Sequence, residues 1–386
     1  MQRASFSFRP APVQAGVVIN EFKIDNKYRN EAQVHLDKIL KPYEHVLDPE
    51  WKNLKDDGII SEWVQFRQTY RCITSSLTKV ANAKVLAINY RLAPQNQFPA
   101  ALQDTLAAYL YLLNPPKDAG FELLNPKNIV IAGDSSGGGL SLALGLAIRD
   151  VCDAEPMGWV YLTVSTPSIL DDECADYIPN VTRGTAAFYA ESQASKEFKK
   201  KDAAFAAKIK NQNIGPKIWH DSFDRPEGRL QLYVNNEGLA IPYVSPMLAE
   251  SLGNLPPLLL VAGNEERLRD ETIYLAHRSA EPAKYKGPSY NAGKFEKSPF
   301  QTPTNTTFEI YEEMPHDFQF VDYACTEMSY ERMSEFVNRV TNILNEPLPP
   351  SSYNYINIKG ELSPLKERHK KVFNWEKIGI VPSSAA

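Results

Sequence analysis

A chain of 386 residues has room for one large α/β domain or two smaller ones. Its 43% hydrophobic and 23% charged content is that of a globule with a sizeable core, and 42 basic against 47 acidic residues exclude the basic footprint of a nucleic-acid binder. Four cysteines (Cys72, Cys152, Cys174, Cys325) lie far apart without paired spacing, so neither a disulfide framework nor a zinc site is indicated. A reducing, cytoplasmic compartment is expected. The opening residues, MQRASFSFRPAPVQAG, lack the apolar core of a signal peptide. The longest apolar run, near 137–148, is too short for a transmembrane segment.

In chain order, residues 1–57 are polar and aromatic, with a helical pattern from Tyr28 to Leu40 that rests on Val34, Ile39 and Leu40. Gly58 to Phe66 carries β-type residues and predicts a strand. Thr69 to Ala83 places Ile73, Leu77, Val80 and Ala81 on one helical face. KVLAINY, Lys84 to Tyr90, is a continuous apolar run of the kind found in strands buried on both faces. Pro99 suits the first turn of a helix reaching about Leu113. Asn128 to Ala132 and Trp159 to Val164 read as further strands. From about 166 to 240 the rhythm breaks into a polar stretch with the charge run Lys196 to Asp202, expected as an insertion that caps the strand ends. The alternation resumes with a strand over Pro257 to Ala262, a helix near Leu268 to Ser279, a strand over Thr307 to Tyr311 and a helix from about Thr326 to Leu344. Residues 346–386 form an extension whose role the sequence leaves unread. Strands alternating with helices predict an α/β fold with a mostly parallel sheet flanked by helices.

One turn in this series carries chemistry. Gly133-Asp134-Ser135-Ser136-Gly137 is a G-x-S-x-G pattern set between a strand and a helix, the context a nucleophile elbow requires. A serine at so sharp a turn has a strained backbone, so its neighbours two positions away are expected to be small. The helix that starts there points backbone N–H groups and a positive dipole end at developing negative charge. A serine nucleophile needs a base, and the base an orienting carboxylate, in the order Ser, acid, His. Of six histidines only His316, in Met314-Pro315-His316-Asp317-Phe318, follows a late strand. The acid belongs after PLLLVA, where Glu265, Glu266, Asp270 and Glu271 stand together. Acidic residues are common at helix starts for dipole reasons, so the residue types alone do not choose among them.

With these motifs the chain resembles the hormone-sensitive lipase-like carboxylesterases of the α/β-hydrolase superfamily, the fold-3 group. The resemblance runs from about Thr69 to Leu344 and includes Tyr90-Arg91-Leu92-Ala93-Pro94, Gly133 to Gly138, Tyr243-Val244-Ser245-Pro246, Leu268-Arg269-Asp270-Glu271 and Pro315-His316-Asp317-Phe318. It implies hydrolysis of a small, hydrophobic ester through an acyl-enzyme, without cofactor or metal. It places the acid on Glu266, with Glu265 or Asp270 as open substitutes because glutamate is one methylene longer than the family's aspartate. It makes the N–H of Ser136 an oxyanion donor, with Gly133 and Gly137 shaping the elbow. It also implies that residues 1–57 form a lid-like segment beside a hydrolase domain over 58–345.

The same resemblance exposes a gap. The family's H-G-G-G oxyanion loop has no counterpart, since none of the six histidines is followed by glycine. By comparison with the family, a strand and its glycine loop are missing between the KVLAINY and NIVIAGD strands, in the middle of the sheet. Gly58 to Phe66 is too polar, with Ser61, Glu62 and Gln65, to suit that doubly buried position. Three readings follow. The chain is an ester hydrolase with an impaired oxyanion hole, a non-catalytic protein of this fold that binds a small hydrophobic ligand, or the truncated gene-model or splice product of an active esterase. Oligomeric state is not legible.

Overall fold

The computed structural model describes residues 17–47, 58–66, 81–93, 96–151, 159–162, 233–234, 241–266, 268–285, 295–320, 323–341 and 348–365, with positions 51, 52, 78 and 238. The helix expected over Thr69 to Ala83 lies almost wholly outside these residues. So do the charge run Lys196 to Asp202, nearly all of the 166–240 insertion and the tail beyond 365.

The first layer is built early in the chain. Val17–Ile24 (β1) runs antiparallel to Ile59–Phe66 (β2), and β2 runs antiparallel to Val85–Ile88 (β3). β1 was not anticipated. The helix Asn26–Leu40 (α1) starts where Asp25 accepts a hydrogen bond from the Lys27 N–H at 2.7 Å, satisfying one of the free amides of the first turn. α1 buries Tyr28, Ala32, Leu36, Ile39 and Leu40, residues three or four apart on one face. Val34, counted toward the apolar face from sequence, is 57% exposed. It sits on the opposite side of the helix from that stripe.

A buried charge cluster ties this layer together and explains Arg91. Ala100–Leu113 (α2) carries Asp104, whose carboxylate is fully buried. It accepts from Arg29 Nε of α1 at 2.6 Å, from Arg91 Nη2 at 2.7 Å and from the Arg91 backbone N–H at 2.9 Å. One carboxylate thus pins α1, α2 and the segment leaving β3. Buried charges are tolerated only when paired in this way.

The second layer is a six-stranded sheet. Its order is Val130–Ile131 (β4), Trp159–Leu162 (β5), Leu258–Gly263 (β6), Thr306–Tyr311 (β7), Ser352–Ile356 (β8) and Leu362–Pro364 (β9). β4 to β8 pair in parallel and β9 is antiparallel at the edge. Two of these strands thus come from the C-terminal extension, which completes the sheet beside β7. β6 is buried at every position. Its Leu258, Leu260 and Ala262 pack into the core shared with α1, α2 and the helices Ser136–Val151 (α3) and Arg269–Ala280 (α4). Leu259 and Val261 face the opposite way, against Met333 and Phe336 of Ala324–Thr341 (α5). This two-residue alternation makes β6 the doubly covered centre of the α/β sandwich. Tyr243 of the Tyr-Val-Ser-Pro motif fastens the end of α3 through a 2.8 Å hydrogen bond to Asp150.

Between the layers the sheet is interrupted. Among the described residues, β3 has β2 as its strand neighbour and β4 has β5, and β3 and β4 are not paired with each other. The interruption falls where the resemblance leaves a strand unaccounted for. Gly58 to Phe66 does not fill it, because β2 sits on the far side of β3. One expectation needs correction here: KVLAINY is not buried on both faces. β3 is only half-buried along its length, as is β4, and Ala132 is exposed. An apolar run earns full burial only if neighbours cover it. Contacts among α1, α2 and α3 hold the two layers against each other across the break.

Candidate active site

β4 hands over to α3 through the turn Gly133-Asp134-Ser135. Ser135 has φ 51°, the left-handed region that costs a non-glycine residue about 1–3 kcal/mol and recurs at functional turns. A Cβ on Gly133 would stand 2.3 Å from the backbone of Gly137, so no larger residue fits there. At Gly137 a Cβ would meet nothing within 4 Å. The steric reason for small neighbours therefore holds on one side of the serine only. The Gly137 N–H donates to Asp134 O at 2.7 Å and the Gly138 N–H to Ser135 O at 3.0 Å, closing the first turn of α3 directly beneath the serine.

The partners come from two loops at the ends of β6 and β7. Gly263 ends β6 with no room for a side chain, since its Cβ would lie 2.1 Å from Met314 O. That contact lets the loops touch. The Asn264 N–H donates to Tyr311 O at 2.8 Å and the Glu265 N–H to Met314 O at 3.0 Å. Glu266 then folds back, and its Oε1 accepts from the Gly263 N–H at 2.7 Å. Its Oε2 lies 2.5 Å from His316 Nδ1, and His316 Nε2 lies 3.0 Å from Ser135 Oγ. The extra methylene of glutamate is absorbed by this fold-back. Of the alternatives, Glu265 is exposed and its carboxylate takes the Asn264 amide at 2.9 Å. Asp270 lies in the first turn of α4, and its side chain is outside what the structure describes.

Two carboxylates and a phenol stand at the site that sequence reasoning did not single out. Asp317 Oδ2 is 3.2 Å from His316 Nε2, and Asp317 has φ 53°. Asp134, inside the elbow, is close enough for its charge to act on His316. Tyr90, just beyond β3, is close enough to the Ser136 side chain for that side chain to act on its phenol. The signal for the aspartates was their adjacency to Ser135 and His316. For Tyr90 it was membership of the Tyr90-Arg91-Leu92-Ala93-Pro94 motif, which does not reveal that the residue reaches the elbow from the other layer.

These neighbours set the charge states. Burial pushes the His316 imidazole down, but the Glu266 hydrogen bond and the charges of Asp317, Glu266 and Asp134 outweigh it and leave it raised. Burial pushes the Asp317 carboxyl up to about 6, opposed by His316 and reinforced by Asp134 and Glu266. Asp134 is raised by burial, and so is the Tyr90 phenol, with the Ser136 side chain acting in the opposite sense on the phenol. Among the described residues no group of three metal-ligating side chains occurs, and no helix is long and apolar enough to cross a membrane. Chemically, a hydroxyl on an imidazole that is itself held by a buried carboxylate can give up its proton as it attacks an electrophile.

Comparison with known proteins adds the following. Residues 63–286, more than half of the chain, match the family described as alpha/beta hydrolase fold. The chain is 27% identical over 249 residues to an acetyl-hydrolase of Streptomyces hygroscopicus, covering 64% of this chain and 62% of that protein. It is 25% identical over 204 residues to an esterase of Acinetobacter venetianus, covering 53% of each. The match thus spans less than two thirds of these relatives' own lengths. A solved esterase/lipase from an uncultured bacterium aligns over 80% of this chain and 98% of that one at 23% identity, with a TM-score of 0.45.

Proposed function

The chain belongs to the alpha/beta hydrolase fold family, and from that premise we propose that it is a serine-dependent carboxylic ester hydrolase. The observation that carries the proposal is the line from Ser135 Oγ through His316 to Glu266, with separations of 3.0 and 2.5 Å, assembled from three separate loops. In this reading Ser135 Oγ attacks the acyl carbon while its proton passes to His316 Nε2. Glu266 holds Nδ1–H and stabilises the imidazolium that forms. The tetrahedral intermediate collapses as His316 returns the proton to the departing alcohol. Water, deprotonated by the same imidazole, then releases the acid from the acyl-serine.

The oxyanion falls to the N–H of Ser136, at the start of α3. Losing one donor of such a hole costs about a hundredfold to a thousandfold in rate, so slow turnover is expected without the glycine loop. The substrate we propose is a small, hydrophobic ester with a short acyl group; the acetyl-hydrolase named among the relatives supports the acyl size. We further propose that residues 1–57, 58–345 with the 166–240 insertion, and 346–386 are the units of the chain, and that it works in a reducing, cytoplasmic setting without a cofactor.

A second reading is favoured by the break between β3 and β4: a non-catalytic member that keeps the fold and binds a small hydrophobic ligand. Turnover of a short-chain nitrophenyl ester by the purified protein, beside Ser135→Ala, separates the two. The hydrolase reading expects turnover that Ser135→Ala reduces by about ten-thousandfold or more. A cooperatively melting protein without serine-dependent turnover supports the binder instead. Aggregation of the wild-type chain would point to a truncated product with exposed strand edges.

A further inference from the structure

We infer that Asp317 is a positioning residue for the His316 base: its carboxylate competes with Ser135 for Nε2 and so sets the pH at which the imidazole becomes available. The inference rests on the roles of Ser135 and His316 proposed above. Nε2 has one lone pair and two suitors, Ser135 Oγ at 3.0 Å and Asp317 Oδ2 at 3.2 Å. Nδ1 is already committed to Glu266.

Follow one proton between Nε2 and Oδ2. If it sits on Nε2, the imidazolium donates to an ionised Asp317 and cannot accept from the serine. If it sits on Oδ2, a neutral Asp317 donates to Nε2 and occupies the same lone pair. Both arrangements block the serine. Only when the proton leaves for solvent does His316 become a neutral base facing Ser135, with Asp317 ionised beside it.

The surroundings favour keeping that proton. Glu266 faces the ring from the loop after β6, Asp134 from the elbow, and Asp317 from the histidine's own loop, so three carboxylates surround one imidazole. Among the described residues, the groups whose charges act on His316 are all carboxylates, and the charge that opposes the rise of Asp317 is that of His316 itself. Both side chains remain about a quarter exposed, which gives the proton a route to water. The upward displacement of both groups agrees with a shared proton. The backbone at Asp317 is left-handed, a conformation that asparagine and glycine also accept. Asp317→Asn and Asp317→Gly therefore remove the charge without asking the loop to move.

The test titrates the His316 imidazole by NMR in the wild-type chain, Asp317→Asn and Asp317→Gly, and measures kcat/KM on a short-chain nitrophenyl ester over the same range. The midpoint is expected to fall in both variants, and the acidic limb of kcat/KM to move down with it. At about pH 5.5 the variants should then retain roughly threefold or more of their plateau activity relative to wild type. A midpoint and a limb that stay in place in both variants overturn the inference. The NMR midpoint needs no turnover. A chain that hydrolyses nothing while its His316 midpoint falls in the variants would sink the hydrolase reading and leave the competition between Asp317 and Ser135 standing.

Discussion

The two sheets of this molecule contribute differently to the candidate site: Ser135, Glu266 and His316 follow strands of the six-stranded sheet, and Tyr90 follows the last strand of the three-stranded one. The six-stranded sheet is continuous, its central strand β6 is buried at every position, and the loops leaving β6 and β7 interlock around Gly263 and Met314. The Ser135–His316–Glu266 line stands on it, joined at 3.0 and 2.5 Å and anchored by the Gly263 N–H at 2.7 Å. The three-stranded sheet ends at a half-buried β3 that has no pairing with β4. Tyr90 follows β3 and comes near the Ser136 side chain at the start of α3. A relay of side chains survives an interruption in the sheet because each member is anchored locally. An oxyanion hole made of backbone N–H groups depends on the loop that presents them.

The largest effect is expected at Asp104, which holds the three-stranded layer to α1 and α2. Asp104→Ala leaves Arg29 and Arg91 buried without their carboxylate and should cost about 3–5 kcal/mol of unfolding free energy. Chemical denaturation measures it. A loss below about 1 kcal/mol would mean that apolar packing alone secures that layer.

Next comes Gly263, on the well-built side. Gly263→Ala drives a methyl into Met314 O and pushes the Glu266 and His316 loops apart. A displacement on the order of 1 Å costs about a hundredfold in kcat/KM, while the sheet itself remains folded. Unchanged kinetics would show that the loops are held by something other than this close approach. The smallest effect is expected at Gly137, where a Cβ meets open space. Gly137→Ala should alter stability by less than about 1 kcal/mol, and in the favourable direction, because alanine is the better helix former. A strong loss of stability or activity there would restore the idea that both glycines of the elbow are sterically required.

Much of this was legible before any coordinates. The elbow, the histidine and the acidic cluster were read from local pattern, since a Gly-rich turn between an apolar run and a helix needs only its own few residues to be recognised. An element with a strong apolar run, β6, came out within a residue of its bounds. Elements whose partners lie elsewhere did not. β1 looks unremarkable until β2 pairs with it, and the extension after Pro347 gives no hint that β8 completes the sheet beside β7. Val34 counted as apolar and faces water; KVLAINY promised a buried strand and is half-exposed.

The sequence by itself determined which residues are candidates, because the serine and the histidine stand out by chemical type and by their order along the chain. It also declared what was lacking, since the absence of a glycine after any histidine needs no structure to see. Only the tertiary structure decided among the carboxylates. Glu266, Glu265, Asp134 and Asp317 are chemically near-equal, and what separates them is distance to one imidazole. Glu266 reaches Nδ1 because the Gly263 N–H folds it back, and Asp317 reaches Nε2 because a left-handed turn aims it there. Electrostatic interaction falls with separation and rises with burial, and neither quantity is written in the order of residues.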